Sequence, residues 1–341
     1  MRIFGLPIGA DGCGYHRCYQ PLTELSRRGH YVMLPTKGMV WLPEVSIVGG
    51  QIDVFCGQMV TGPKGMALWE EWKGHTALVY DLDDDVWSSD HKGSLWHQMP
   101  ECRDIAAYLI SISDLVTVST EPLAEIARRY NDHVVVLNNC VHEDLLKLER
   151  PRRDRVTVGW AGGTSHQADF EYAAPMLSRF LNRHPDVDMH FVGGDYSVLL
   201  KVPEGRCRQT TPWQPDVWDY YPGIDFDVGI APLDPGHAFT ACKSHLKALE
   251  YAALGIPVVA SASEPYNGFV EHGVTGFLVR YDYEWEKCLR DLVHDEAMRA
   301  EMGAAARKLA AGWTIQARAG DWETAFTEVM GRVPVNAERA C

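Results

Sequence analysis

The sequence lacks any apolar run long enough to cross a bilayer as a helix, which takes roughly 18–20 residues. Its N-terminus also lacks the order of a secretory signal peptide, a charged region followed by an apolar one. The nine cysteines are scattered, and none forms the C-x-x-C spacing of zinc sites and redox motifs. We therefore expect a cytoplasmic protein with no membrane span and no cysteine-held metal.

Basic residues are scarce, because 32 Lys and Arg stand against 46 Asp and Glu, a formal charge of −14. Proteins that bind nucleic acid by neutralising phosphates carry the opposite balance, so this charge disfavours a nucleic-acid partner, with a local basic rim as the alternative. Hydrophobic residues make up 46% of the 341 residues, which is enough for a buried core in each of two domains.

Short β-branched runs alternate with helical patterns along the chain, as is typical of βαβ units and parallel sheets. The sequence predicts an α/β protein with two Rossmann-like, doubly wound domains facing a cleft, at 1–145 and 152–312. A charged linker is expected at 142–155, and a C-terminal helix at about 315–335 is expected to pack back on the first domain. The predicted strands are 2–5, 31–34, 52–56, 76–80, 115–118 and 134–137, then 156–160, 188–192, 228–231, 257–260 and 276–279.

Ligands of such sheets bind outside the carboxyl ends of the strands, so the loops there are candidate sites. The first loop is rich in glycine, whose backbone N–H groups can approach an anion, and it leads into a helix predicted at 16–28. Its G-x-x-G-x-G spacing matches neither a dinucleotide fingerprint nor a P-loop. A simple turn is an equal alternative to ligand contact for its candidates, Gly12, Gly14, Tyr15, His16 and Arg17.

Four carboxylates follow the fourth predicted strand, at Asp81 and 83–85. Such a group can bind a divalent cation or sugar hydroxyls, or form the acidic first turn of a helix. We assign no metal there and keep Asp81 as a candidate catalytic residue.

In the second domain, small and hydroxyl residues follow the strand at 156–160 and precede a helix. Gly162, Gly163, Thr164 and Ser165 are predicted to cradle an anion, with a capped turn as the alternative. Trp213 is a candidate for stacking on a nucleobase, or equally a core residue.

A helix predicted at 240–254 carries the most informative side chains. At ~100° per residue, Lys243, Lys247 and Glu250 lie on one helical face. An ordinary surface pair at i, i+3 is the alternative meaning of Lys247 and Glu250.

Residues 250–261 read EYAALGIPVVAS and 271–279 read EHGVTGFLV. With these motifs the chain resembles, over nearly its whole length, the retaining glycosyltransferases of the GT-B fold, family 4 or group 1. Shorter similar segments lie at 28–30, 118–121, 136–139 and 299–303. The resemblance implies a nucleotide-diphosphate sugar, with UDP or GDP, as co-substrate and no essential cofactor or metal.

The resemblance also implies that Glu250 bonds the ribose hydroxyls of the sugar donor. The family's basic pair near the pyrophosphate is missing from the loop at 162–166. We predict that the amides of Gly163 and Thr164, with Lys243 and Lys247, replace it where charge develops on the leaving phosphate.

Two further positions depart from the family pattern. Cys242 stands where the family has a glutamate near the donor sugar, and a thiol cannot hold hydroxyls as a carboxylate does. Asp81 and Asp83 stand in the region of a family histidine. Recognition of the donor sugar is therefore expected to differ from that of other members.

These features together predict a retaining glycosyltransferase that moves a hexosyl or pentosyl group to a hydroxyl acceptor. The acceptor stays open among a glycan, a lipid-linked molecule, a protein and a modified DNA base. Two alternatives are a nucleotide-sugar epimerase of GT-B fold, which would convert the sugar donor alone, and a non-catalytic nucleotide-sugar binding protein.

Overall fold

The computed structural model describes residues 1–10, 12–35, 52–88, 101–151, 154–210 and 216–332. The described residues divide into two compact units. The first comprises those within Met1–Ser89, Leu95–Asn139 and Ile315–Cys341, and the second comprises those within Cys140–Thr314. Each unit contains one six-stranded parallel sheet. The predicted α/β class, with two parallel sheets, is confirmed.

The sheet of the first unit contains β1 (Arg2–Leu6), β2 (Tyr31–Met33), β3 (Val54–Gln58), β4 (Ala77–Leu82), β5 (Leu115–Val118) and β6 (Val134–Val136). Their order is β2-β1-β3-β4-β5-β6, and every pairing is parallel. All residues of β3 and β4 are buried, as expected for parallel strands covered on both faces. This explains why most residues of these strands are apolar, with Gln58 and Asp81 as the exceptions.

The helices that follow these strands are α1 (Gly12–Gly14), α2 (Gln20–Arg27), α3 (Pro63–Trp72), α4 (Glu101–Ile112) and α5 (Glu121–Ala127). Aromatic side chains join α3 to the sheet. The ring of Phe55 lies 5.0 Å from that of Trp69 and 5.4 Å from that of Trp72. These large side chains form the core on one face of the sheet.

The sheet of the second unit contains β7 (Thr157–Gly162), β8 (Asp188–Gly193), β9 (Cys207–Thr210), β10 (Val228–Ala231), β11 (Val258–Ser261) and β12 (Gly276–Val279). Their order is β12-β11-β10-β7-β8-β9. The strand β9 was not predicted. It is an edge strand whose residues Arg208 and Gln209 are polar, so it has no apolar run to mark it.

The helices of this unit are α6 (Gln167–Arg183), α7 (Val217–Tyr220), α8 (Ala238–Cys242), α9 (Leu246–Ala253), α10 (Glu264–Asn267), α11 (Asp282–His294) and α12 (Glu296–Ala310). The core between β7 and α6 is aromatic. The indole of Trp160 meets the ring of Phe170 at 5.1 Å and that of Tyr196 at 5.2 Å, both edge to face. These contacts fix the carboxyl end of β7.

The single helix predicted at 240–254 is wrong, because the chain breaks between α8 and α9. Lys243 has an extended backbone with ψ of 154°. The break lets the buried His245 ring stack on Phe269 at 4.6 Å and meet Trp313 edge-on at 4.6 Å. Lys247 and Glu250 therefore lie on one helix, as predicted, whereas Lys243 belongs to a separate segment.

In the charged segment at 142–155, the described residues other than Leu145 are exposed or half-buried. It contains a 3₁₀ turn at Glu143–Lys147. Arg150 then donates to the carbonyl oxygens of Leu254 at 3.1 Å and Phe226 at 2.6 Å. The segment is therefore anchored on the second unit by hydrogen bonds that its sequence does not reveal.

The last described helix, α13 (Ile315–Met330), belongs to the first unit. Its Glu323 lies 2.7 Å from the Arg28 guanidinium and 2.9 Å from His30 Nε2. The end of the described chain thus packs beside α2 and the start of β2.

Candidate active site

The loop that follows β7 presents backbone to solvent. Gly163 and Thr164 are exposed, and Gly162 and Ser165 are half-buried. The loop after β8 lies alongside it, because Gly194 donates its N–H to Gly162 O at 2.8 Å. A Cβ on Gly193 would lie 2.3 Å from the same oxygen, so only glycine permits this approach. The carboxyl ends of two neighbouring strands therefore form a narrow, glycine-lined edge.

Lys247 reaches this edge from α9. Its Nζ donates to Ala161 O at 3.0 Å and lies 4.5 Å from the centre of the Trp160 ring. A Cβ added to Gly162 would lie 2.2 Å from Nζ, so the ammonium occupies the space that a side chain there would fill. The structure thus brings together Gly162 and Lys247, two residues that the sequence places 85 positions apart.

Glu250 lies on the same helix and is 6% exposed. Burial, followed by the negative charge of Glu250, raises the pKa of the Tyr220 hydroxyl on α7. Lys247 and Glu250 therefore form a cation and an anion one helical turn apart, both on the first turns of α9.

The other predicted residues of the second unit are placed differently. The ammonium of Lys243 lies 4.4 Å from the centre of the Phe239 ring, so it packs on α8 and not on the indole that carries Lys247. Cys242 is buried at the end of α8. Trp213 lies outside the described residues. The roles of these residues in binding the sugar donor stay predictions.

Sequence reasoning missed a buried pair at the start of α6. His166 Nδ1 lies 2.7 Å from Asp169 Oδ2, and Asp169 is 0% exposed. Asp169 Oδ1 also accepts the N–H of Asp234 at 2.9 Å. An H-x-x-D pattern opening a helix directly after a glycine loop was the available signal, since i, i+3 side chains meet on a helix.

In the first unit, the glycine loop turns into an irregular helix. Gly12 is exposed, whereas Gly14 is buried, and a Cβ on Gly14 would lie 1.9 Å from Gly9 O. The next five residues, Tyr15–Tyr19, are π-helical rather than the start of the regular helix predicted at 16–28. Within them Tyr15 and His16 are buried and in edge-to-face contact at 5.1 Å.

Arg17, in this π-helical turn, pairs with Asp81 in the interior. Nη2 lies 2.6 Å from Asp81 Oδ2, and both side chains are 0% exposed. Thr117 donates its hydroxyl to the same carboxylate at 2.7 Å. Arg17 also donates to the Leu137 carbonyl and, at 3.1 Å, to Asn139 Oδ1. These contacts give both residues a structural role, and the catalytic role of Asp81 stays a prediction.

Asp83 is a half-buried carboxylate just after the end of β4. It accepts from Asn139 Nδ2 at 3.3 Å. Burial, together with the negative charges of Asp84 and Asp81, raises the pKa of Asp83 to about 6, although Arg17 and the Ser119 hydroxyl oppose the shift. Asp83 therefore changes charge near neutral pH, at the ends of β4, β5 and β6.

The raised pKa of Asp83 predicts a pH-dependent stability. In the unfolded chain this carboxyl loses its proton near pH 4, and in the folded protein it does so only near 6. The unfolded state thus holds fewer protons in this window, so stability falls as pH rises through it. We expect Asp83→Asn to raise the free energy of unfolding at pH 7 by about 1–2 kcal/mol.

Urea denaturation of wild type and Asp83→Asn between pH 4 and 8 measures this difference. The control is Asp84→Asn, which should keep the fall in stability and move it to lower pH, because Asp84 raises the pKa of Asp83. If the free energy of unfolding changes with pH in the same way in wild type and in Asp83→Asn, the raised pKa does not belong to Asp83.

Residues 155–295, which include β7, Lys247 and Glu250, match the family model described as "Glycosyl transferases group 1". They form a group 1 glycosyltransferase domain. No curated protein matches the chain by sequence.

Several solved structures are similar to nearly the whole chain. Sucrose-phosphate synthase from Thermosynechococcus elongatus has a TM-score of 0.70 at 12% identity, over 97% of this chain and 100% of that one. The Anabaena protein HepE in complex with UDP has a TM-score of 0.68 at 16% identity, over 96% and 100%. A glycosyltransferase from Rickettsia africae has a TM-score of 0.65 at 11% identity, over 96% and 98%. These likenesses establish the GT-B fold.

The chain accordingly contains a group 1 glycosyltransferase domain, which carries the loop after β7 and the helix α9. Within the described residues, no group of three or more His, Cys, Asp or Glu side chains is arranged to hold a metal ion. No helix in that part of the chain combines the length and the apolar character needed to cross a membrane.

Proposed function

We propose that the chain transfers a glycosyl group from a nucleotide-diphosphate sugar to a hydroxyl acceptor, with retention of anomeric configuration. One observation carries the proposal: the Lys247 ammonium lies against Gly162 at the carboxyl end of β7, inside a group 1 domain. This is the edge at which ligands of parallel sheets bind. A fixed cation there stabilises the charge that develops when a nucleoside diphosphate leaves.

The nucleotide is proposed to bind with its phosphates at the glycine loop and its ribose at Glu250. The exposed N–H groups of Gly163 and Thr164 at the start of α6 suit phosphate oxygens. A carboxylate accepts hydrogen bonds from two ribose hydroxyls at once. The structures of HepE were determined with UDP and with UDP-glucose, and we propose UDP as the nucleotide of this chain.

Retention requires no carboxylate nucleophile in this proposal. An oxygen of the leaving diphosphate takes the proton of the acceptor hydroxyl as the new bond forms on the same face. Lys247 and the loop amides then need only to hold the diphosphate, which is consistent with a site made of backbone and one ammonium group. The proposed location is the cytoplasm, since no disulfide forms among the eight cysteines within the described residues.

The test is calorimetric titration of UDP and of GDP into wild type and Glu250→Ala. Hydrogen bonds to a charged group contribute about 1.5–3 kcal/mol, so we expect UDP to bind about 10- to 100-fold more weakly to the variant. Glu301→Ala, which removes an exposed glutamate of α12, is the matched control and should bind as wild type does.

Equal UDP affinity of wild type and Glu250→Ala would overturn the assignment of Glu250. Two further outcomes would favour the other predicted functions. Conversion of the sugar donor without an acceptor would indicate an epimerase, and UDP binding with no turnover of any UDP-sugar would indicate a binding protein.

A further inference from the structure

His166 lies where the loop after β7 enters α6, and the fold holds it from three sides. Its N–H donates to the Tyr196 hydroxyl at 3.0 Å, and that hydroxyl donates to Gly163 O at 3.2 Å. Its ring meets the indole of Trp160 edge to face at 5.3 Å. The imidazole is therefore tied to the glycine loop through both its backbone and its ring.

Asp169 holds the imidazole from the buried side. One carboxylate oxygen bonds His166 Nδ1, and the other accepts the N–H of Asp234, in the loop after β10. A carboxylate on Nδ1 directs the opposite ring nitrogen, Nε2, away from α6. Such a pair fixes the ring orientation and stabilises the imidazolium form.

The Trp160 indole contacts both this imidazole and Lys247. The ammonium lies over the ring face at 4.5 Å, and the imidazole contacts the same ring at 5.3 Å between centres. The two nitrogen-bearing groups thus share one indole at the carboxyl end of β7. The loop that joins β7 to α6, at 162–166, contains no Arg or Lys.

We propose that His166, as an imidazolium, donates a hydrogen bond from Nε2 to the diphosphate of the sugar donor, and that Asp169 is its positioning residue. The inference rests on the proposed function and adds to it a second cation beside Lys247. It accounts for a phosphate loop without a basic residue: the charge comes from a histidine at the start of α6.

Several charged and titratable groups surround His166. They are the Asp169 carboxylate on α6, the Tyr196 hydroxyl after β8 and, across the indole, the Lys247 ammonium on α9. Asp234 after β10 gives Asp169 its backbone N–H, and its own carboxylate lies 3.5 Å from His237 Nε2. One carboxylate therefore faces one ammonium before the sugar donor binds, and the negative charge of the diphosphate then favours the imidazolium.

The test compares UDP with uridine, which lacks the phosphates, by calorimetry on the full chain. His166→Gln should lower the affinity for UDP about 10- to 100-fold, which corresponds to the loss of one hydrogen bond to a charged group. The affinity for uridine should change less than about threefold. Asp169→Asn should likewise lower the ratio of UDP affinity to uridine affinity. His75→Gln, which removes an exposed histidine of the first unit, is the control.

Equal losses for UDP and uridine, or unchanged affinities, would overturn the inference and leave His166 a structural residue. A wild type that binds neither UDP nor GDP would overturn the proposed function itself, and this inference with it. A second measurement needs no variant: in wild type the ratio of UDP affinity to uridine affinity should fall as rising pH removes the proton of the imidazolium. A constant ratio would count against an imidazolium contact.

Discussion

Asp81→Asn is expected to lower the free energy of unfolding by about 3–5 kcal/mol, as the loss of one partner from a buried ion pair does. The variant leaves the Arg17 guanidinium charged with its side chain 0% exposed. Its remaining hydrogen bonds go to the neutral oxygens of Leu137 and Asn139, which cannot balance the charge. Urea denaturation at pH 7 measures the difference.

The control removes both charges, as Arg17→Met with Asp81→Leu. Replacing a whole buried pair with apolar groups costs far less than breaking it, so the double variant should be more stable than Asp81→Asn. Asp81→Asn with the stability of wild type but without activity would instead support the catalytic role that the sequence predicts for this residue.

The expected loss of stability is large because several elements of the first unit contact Arg17. Besides Asp81 on β4 and the residues after β6, the guanidinium lies 5.0 Å from the centre of the Trp322 ring on α13. The pair therefore joins the first helical turn, the middle of the sheet and the last described helix. Partial unfolding of α13 is an expected companion of its loss.

Sequence pattern was sufficient for most of the fold. Strands such as Leu115–Val118 and Val228–Ala231 are fully buried β-branched or apolar runs, and both were predicted at their observed bounds. The polar edge strand Cys207–Thr210 gave no such signal. Breaks within helices also escaped prediction, since the π-helical turn at Tyr15–Tyr19 and the extended Lys243 depend on distant contacts.

The candidate site shows the same division. Helical periodicity placed Lys247 and Glu250 on one face, because their spacing is local. His166 and Asp169 are also only three positions apart, yet nothing local indicated that Asp169 would be buried and would accept the N–H of Asp234. Likewise the contact between Lys247 and Gly162 depends on the order of β10 and β7 in the sheet, which the sequence alone does not specify.

Lys247→Met is expected to lower the rate of UDP release from a UDP-sugar by about 10²- to 10³-fold, the effect of removing one preorganised group that stabilises transition-state charge. Methionine keeps most of the side chain's length and its packing on Trp160, so the protein should stay folded. A coupled assay of UDP release, with the UDP-sugar that wild type uses best from a panel, measures the rate. Thermal melting checks the fold.

Two glycine variants test whether the position of the ammonium matters and not only its presence. In Gly162→Ala the new Cβ would lie 2.2 Å from Lys247 Nζ and 2.8 Å from the Trp160 ring, so the flexible lysine end must move. In Gly268→Ala, at an exposed glycine elsewhere in the second unit, nothing lies within 4 Å of the new Cβ. We expect the first to slow UDP release by about 10-fold or more, because a misplaced group loses much of its electrostatic effect, and the second to stay within about twofold. Equal rates for the two variants would show that the lysine acts without the geometry seen here, as a general positive charge near the loop.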